Sequence, residues 1–546
     1  MSEHPYGFLS LAPPIVAVTL AILSRRVLTS LLAGLVAGVL ITTRGDVVQG
    51  TIDLFEKHLW STFVQPDKLR IVCFTLCMGA TIALIHATGG MRSLVAALAP
   101  LARGRRSGQL GAWLAGLVIF FDDYANCMLL GNTLAPVFDR LKLSREKLSY
   151  IVDSTAAPVA GLAVVSTWIA VELAYLQEGL ANTGAADAAA ASPFELFVAC
   201  IPYRFYVIQA LLLVMLIAVL NRDIGPMLRA ERRAAAAPPS GDDHGSSAAL
   251  PSAHWLTAAA PIVATLLTVL ALIYATGRAN LPTRNPGAEP TLRNVFGAGS
   301  SAVALQYGGL VGLATALALS RWGAKLAHDQ LADAAVIGVR TVLPAIMILW
   351  LASAMSRMTS NRSFEEKPTV QAFEFSDHRL YTGDYLKEKL LNWSEGGGLA
   401  RWLPTVIFVL ASTISFCTGT SFGTMGILVP MVVPLAYAAI GAESMAAAAR
   451  EPLFLASLGS VLAGAIFGDH CSPISDTTIL SSQFSGCDHI AHVNTQLPYA
   501  LLAGAVSILL GTLLIGLGVS VWLLLPLQTA AMIGVLLAFG GKVEET

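Results

Sequence analysis

Five carboxylates interrupt stretches that are otherwise apolar: Asp122 and Asp123 in GLVIFFDDYANCMLLG, Asp153 at the head of DSTAAPVAG, and Asp469 and Asp476 in IFGDHCSPISDTTILSS. An ionised carboxylate held away from water costs several kcal/mol unless it is solvated, paired or protonated. One such residue could cap a helix end; five imply a water-accessible site within the apolar mass. In low-dielectric surroundings a carboxylate keeps its proton more tightly, and a bound cation displaces it. The same group can then carry a proton in one state and a cation in another, which is the physical basis of exchange.

The neighbouring residues suit cation coordination. Asn126, Asn132, Ser154 and Thr155 in the first half supply neutral oxygens, as do Ser415, Thr418, Thr420, Ser421, Thr424, Ser475, Thr477 and Thr478 in the second. A helix broken at Gly419, Gly423 or Pro473 frees backbone carbonyls for the same purpose. The exposed N-termini of half-helices equally suit an anion, and the run from Thr418 to Gly426 leaves room for an organic substrate. His470 is placed as a proton-sensitive partner of Asp469 or Asp476.

Other chemistries fit less well. Asp469, His470 and Cys471, with Cys487, Asp488, His489 and His492, invite a zinc reading, but adjacent helical residues point apart and no i,i+4 histidine pair occurs. CDHIAH, 487–492, reads as a surface segment at one mouth of the protein. There is no G-x-S-x-G elbow for a hydrolase and no G-x-x-x-x-G-K-[ST] loop for an ATPase. Secondary transport, without a catalytic residue or bound cofactor, is what remains.

The elements that must position these residues are membrane helices. Of 546 residues 55% are hydrophobic and 13% charged, and the mean hydropathy is +0.66, about half the charge of a soluble domain. A net charge of -1 gives no basic surface for nucleic acid. The seven cysteines include no CxxC pair. Hydropathy predicts an all-α polytopic protein with segments near 8–24, 27–43, 70–88, 111–138, 150–175, 200–220, 254–275, 301–319, 333–355, 402–439, 452–482, 497–519 and 521–540, that is, about 11–13 membrane segments. The first is read as a retained helix and not a signal peptide.

Basic residues place loops 89–110 and 139–149 on the cytoplasmic side, and 176–198, with Glu178, Asp187 and Glu195 and no Lys or Arg, on the outside. Two basic loops flank 111–138, so that segment must return on itself or be built of broken half-helices, and 402–439 the same. The segment 231–253 reads as a cytoplasmic linker between an N-terminal half, 1–230, and a C-terminal half, 254–546, with 356–400 an external insertion. FFDDYANCMLLGNTLAP and SFCTGTSFGTMGILVP run alike from an aromatic residue to a glycine (Gly131 in the first) and then a proline. STAAPVAG, around Pro158, answers CSPISDTT, around Pro473. Paired breaks of this kind predict two repeats with a substrate site at the bilayer midplane.

GDHCSPISDTTILSS, 468–482, closely resembles the signature of the NhaC-type sodium/proton antiporter family, and FFDDYANCMLLGN with DSTAAPVAG resembles its N-terminal counterpart. Together these anchor about 70 to 520. The resemblance implies two inverted repeats and a transporter working by alternating access in a bacterial cytoplasmic membrane. It implies cation and proton handling by Asp122, Asp123 and Asn126, by Asp153, Ser154 and Thr155, and by Asp469, His470, Ser472, Ser475, Asp476 and Thr477, with Na+ at Asp469 and Asp476. Relatives that exchange malate for lactate or move amino acids keep a small organic solute open as cargo. The charged insertion, the extended linker at 221–253 and the Ala-rich loop at 176–198 depart from compact members. A homodimer is left open, because composition does not separate dimer contacts from lipid contacts. An epitope tag within 183–191 should be labelled from outside intact cells; labelling only after permeabilisation would invert this topology.

Overall fold

The computed structural model describes residues 6–24, 26–90, 93, 104–164, 166–188, 191–236, 254–284, 290–291, 295, 298–359, 379–382, 385, 399–473 and 475–543. Most of the expected linker and of the charged insertion thus lies outside the described residues. The described chain is helical, and the one β-bridge among the described residues joins Asp223 to Gly541.

In chain order the main helices are α1 (Ala12–Ser24), α2 (Val27–Thr42), α3 (Pro66–Thr88), α4 (Arg105–Val118), α5 (Asp123–Arg140), α6 (Arg145–Thr155), α7 (Ala157–Leu162), α8 (Thr167–Ala181), α9 (Pro193–Cys200), α10 (Phe205–Leu220) and α11 (Gly225–Ala236). There follow α12 (Leu256–Arg284), α13 (Ser301–Ala318), α14 (His328–Thr359), α15 (Leu399–Thr418), α16 (Ser421–Ile440), α17 (Pro452–Cys471), α18 (Asp476–Ser485), α19 (His489–Ser507) and α20 (Val521–Phe539). Among the described residues nine helices are long and apolar enough to cross a bilayer, and two bent pairs bring the total to eleven. The shorter apolar α1 and α2 stand outside that count. The chain is a multi-pass membrane protein.

The breaks fall where the polar residues are. The expected span 111–138 is two helices, α4 and α5, parted at 119–122, and 402–439 is α15 and α16, parted at Gly419 and Thr420. Gly419 has φ +66°, a left-handed turn that glycine enters without a Cβ clash. Pro473 lies in the gap between α17 and α18, and Pro158 in the first turn of α7, just past the break at Ala156. Two expected breaks are corrected. Gly131 and Gly423 lie inside α5 and α16; Gly131 instead lets the backbone of Phe484 and Ser485 approach, where a Cβ would collide. Two expected single spans are also corrected: 150–175 bends by 47° between α7 and α8, and 200–220 by 53° at Arg204.

The most enclosed span is α17, 83% of its apolar window being buried, against 28% for α20. Without a hydrophobic drive between helices in lipid, small residues set the packing. Gly464 and Gly468 of α17 face the backbone of Phe408 and Ser412 of α15, leaving no space for a side chain. At the other extreme Trp322, Leu523 and Phe539 present apolar surface outward, as lipid-facing positions do.

Two buried ionic groups hold the periphery of this core. Glu172 of α8 pairs with Arg204, 2.7 Å apart and both fully buried, and Arg204 also donates to the Gly161 carbonyl. At the end of the bundle that carries the basic loop 139–149, Lys147 pairs with Asp223, which accepts from Tyr499 at 2.7 Å. Glu231 accepts from Arg105 and, at 2.7 Å, from Ser144. Burial pushes the Glu231 carboxyl above the usual carboxylate range, opposed by Lys147 and Arg105. Removing one member of a buried pair strands a charge at about 3–5 kcal/mol, whereas replacing both is close to neutral. Arg204→Met should therefore lower the thermal unfolding midpoint in detergent by several degrees, and adding Glu172→Leu should restore most of it.

Candidate functional site

The site is assembled from the broken ends of α4, α5, α8 and α15 to α18, with α6, α10 and α19 packed beside them. Each break frees backbone groups that water cannot reach, and buried side chains take them up. Asn126 donates from Nδ2 to the carbonyls of Gly116 and Thr155 at 3.0 Å and of Ile119 at 3.3 Å, closing the end of α4 against α6. Ser415 donates to the Ala465 carbonyl at 2.6 Å and Ser472 to that of Phe416 at 2.8 Å, tying the C-terminal ends of α15 and α17 together. Ser166 caps α8 by accepting from Trp168 and Ile169.

One cluster forms around Asp469, which is 5% exposed. Its Oδ2 accepts from Ser421 at 2.9 Å, and its Oδ1 has no hydrogen-bond partner among the described residues. Asp122 and Asp123 are also buried; Asp122 accepts from Thr167 at 3.1 Å, and Asp123 lies within electrostatic reach of Asp122 and Asp469. Trp168 packs against Phe422 beside them, ring centroids 4.5 Å apart. The C-terminal ends of α15 and α17, each the partially negative end of a helix dipole, meet next to Asp469. That arrangement favours a cation.

A second cluster forms around Asp153. Its Oδ2 accepts from Thr478 at 3.1 Å and from Gln496 at 2.6 Å, with His492 Nε2 at 3.4 Å and His470 Nε2 at 4.0 Å. His470 turns to this cluster and not to Asp469 or Asp476: its Nε2 is 3.2 Å from Ser154 and its Nδ1 2.6 Å from Tyr206. Ser154 and Thr478 are accordingly engaged here, and Thr155 bonds the carbonyl of Ile151 within its own helix.

Other expected positions fall elsewhere. Asp476 is exposed at the N-terminus of α18, accepts from Tyr124 at 3.1 Å and lies within electrostatic reach of the buried Asp469. Asn132 is exposed on α5. Thr418 donates to the Ile414 carbonyl of its own helix, Thr424 to that of Thr420, and Thr420 caps α16. Ser475 and Thr477 pair with each other at 3.1 Å, and Ser475 also lies within hydrogen-bonding reach of the Asp469 carboxylate. No cluster of His, Cys, Asp and Glu among the described residues has the geometry of a metal centre.

Thr167, Tyr206, His492 and Gln496 are site residues that sequence reasoning missed. The surface reading of CDHIAH holds for 487–491, which are exposed or half-buried, and is corrected at His492, which is fully buried. His489, His492, Gln496 and Tyr499 recur at helical spacing along one stripe of α19, a signal that the surface reading of the segment obscured.

This architecture of broken membrane helices around buried carboxylates is that of a secondary transporter. The sequence profile of the "Na+/H+ antiporter family" matches residues 159–361 and 386–517, and the chain belongs to that family. It is 31% identical over 497 residues to a protein of Haemophilus influenzae described as uncharacterized, covering 90% of this chain and 88% of the relative. A stretch of 104 residues is 38% identical to the malate-2H(+)/Na(+)-lactate antiporter of Bacillus subtilis, 19% of this chain and 20% of that one. Among solved structures, the YdaH transporter of Alcanivorax borkumensis superposes with a TM-score of 0.51 at 16% identity, covering 89% of each chain, which speaks for the fold alone. Asn126→Asp would set a carboxylate against three carbonyls in place of their shared donor, at a cost of about 3 kcal/mol. The variant should unfold at clearly lower temperature, whereas Asn132→Asp, on the exposed face, should unfold with the wild type.

Proposed function

We propose that the protein exchanges Na+ for H+ across a bacterial cytoplasmic membrane by alternating access, the Na+ being held at Asp469 with Asp122 and Asp123 close by. The observation that carries this reading is Asp469 itself: a buried carboxylate with one oxygen that has no partner among the described residues, beside the joined C-terminal ends of α15 and α17. Helix C-termini and unwound carbonyls suit a small cation in a membrane interior, and family membership points the same way. The breaks in α4/α5 and α6/α7 on one side, and in α15/α16 and α17/α18 on the other, are proposed as the two inverted repeats. Lipid and the transported ions are the expected partners.

A second reading takes a small organic acid as cargo with the ions as coupling partners. The aromatic pair Trp168 and Phe422 beside Asp122 and Asp123 would line an apolar part of such a ligand, and the partial match to the malate-2H(+)/Na(+)-lactate antiporter supports it.

Purified protein in liposomes with an imposed pH gradient separates the two. Addition of Na+ should dissipate the gradient, and Asp469→Asn should slow this at least tenfold while Asp476→Asn, at an exposed position, stays within threefold of wild type. A gradient that responds to carboxylates and not to Na+ alone would favour the organic-acid reading.

A further inference from the structure

The donors that reach Asp153 converge on one oxygen. Thr478, Gln496 and His492 all address Oδ2, while Oδ1 is buried without a partner among the described residues. The tautomer of His492 follows from its neighbour. Ser481 has one hydroxyl proton, and it goes to the Thr478 carbonyl at 3.0 Å. Ser481 Oγ, 3.1 Å from His492 Nε2, is thereby left to accept. Nε2 therefore carries hydrogen, shared between Ser481 and Asp153, and Nδ1 is the basic atom. That Nδ1 is buried and has no partner among the described residues.

A bare carboxylate oxygen and a bare imidazole nitrogen thus belong to one hydrogen-bonded pair, and the pair takes up a proton without needing a new donor or acceptor to be displaced. The other titratable groups that face Asp153 are Cys127 from α5, Tyr206 from α10, and His470 and Cys471 from α17, with Asp469 further along the same helix. Among the described ion pairs of Asp153 the partners are the two histidines, not lysine or arginine. Towards the end of the bundle that carries the basic loop 139–149 the stripe continues: Tyr150 of α6 stacks on Tyr499 of α19 at 4.8 Å, and Tyr499 bonds Asp223.

We propose that the Asp153–His492 pair carries the exchanged proton at a site separate from the Asp469 cation site. The proposal rests on the antiport reading above. A proton arriving from water forms an N–H bond at His492 Nδ1 or an O–H bond at Asp153 Oδ1 and takes the pair from a net charge of −1 to neutral; release reverses this. The two sites lie on different helices, Asp153 on α6 and His492 on α19 against Asp469 on α17, and communicate through Gln496. Gln496 bonds both Asp153 and the His470 carbonyl, one residue from Asp469, so a charge lost at Asp153 is felt at Asp469.

Separate sites predict that the two fluxes can be uncoupled. In proteoliposomes without a pH gradient, tracer 22Na+ exchange against unlabelled Na+ needs the cation site and no proton. In the presence of a pH gradient, Na+-driven proton movement needs both. Asp153→Asn should cut proton movement at least tenfold while tracer exchange persists within threefold of wild type. His492→Gln, which keeps a polar side chain in place, should cut it at least fivefold, again with tracer exchange retained. Monodisperse elution in detergent establishes that each variant is folded, and His492→Gln decides the matter should Asp153→Asn fail to fold. Folded variants that lose both fluxes together, or keep proton movement intact, overturn the separate site. A wild type that moves no Na+ in either assay overturns instead the antiport reading on which it stands.

Discussion

The structure depends on one constraint: a backbone group freed inside a bilayer must find a partner within the protein. Every break that opens the site is also a set of stranded carbonyls and amides, and the side chains nearby exist in part to receive them. Asn126 serves three carbonyls at once. Ser415, Ser472 and Arg204 each serve one. With the backbone so closed, the carboxylates are left over, and Asp469 Oδ1 has no partner among the described residues.

Burial follows the same logic. The helix that carries Asp469 and His470 is the most enclosed span, packed through Gly464 and Gly468 where no side chain would fit. Consecutive residues at its end face different clusters, since neighbours on a helix point about 100° apart. Asp469 meets Ser421, while His470 meets Ser154 and Tyr206. One helix end thereby serves two polar centres that share little except the backbone between them.

Much of this was legible in the sequence. The polar centres of 111–138 and 402–439 stood out against long apolar runs, and both became breaks. Asp122, Asp123, Asp153 and Asp469 were conspicuous for the same reason and are all buried. What the sequence did not yield were relations across helices. Asp476 looked equivalent to Asp469 because the linear motif holds both, yet the turn at Ser472 to Ser475 separates a buried position from an exposed one. His492 looked superficial because it belongs to a short polar segment, whereas the first turn of α19 already turns it into the core. Gly131 looked like a break because glycine often marks one; its use is to let another backbone close, which only the folded partner reveals.

That contact at Gly131 has a mechanical meaning. Helix α18, from the second half of the sequence, lies backbone against backbone on α5, from the first, with no side chain between them at that point. A side chain larger than hydrogen at Gly131 would force the two helices apart. Thr478 on α18 and Asp153 on α6 are joined in the same way by a hydrogen bond. The packed unit around Asp153 is therefore drawn from both halves of the sequence.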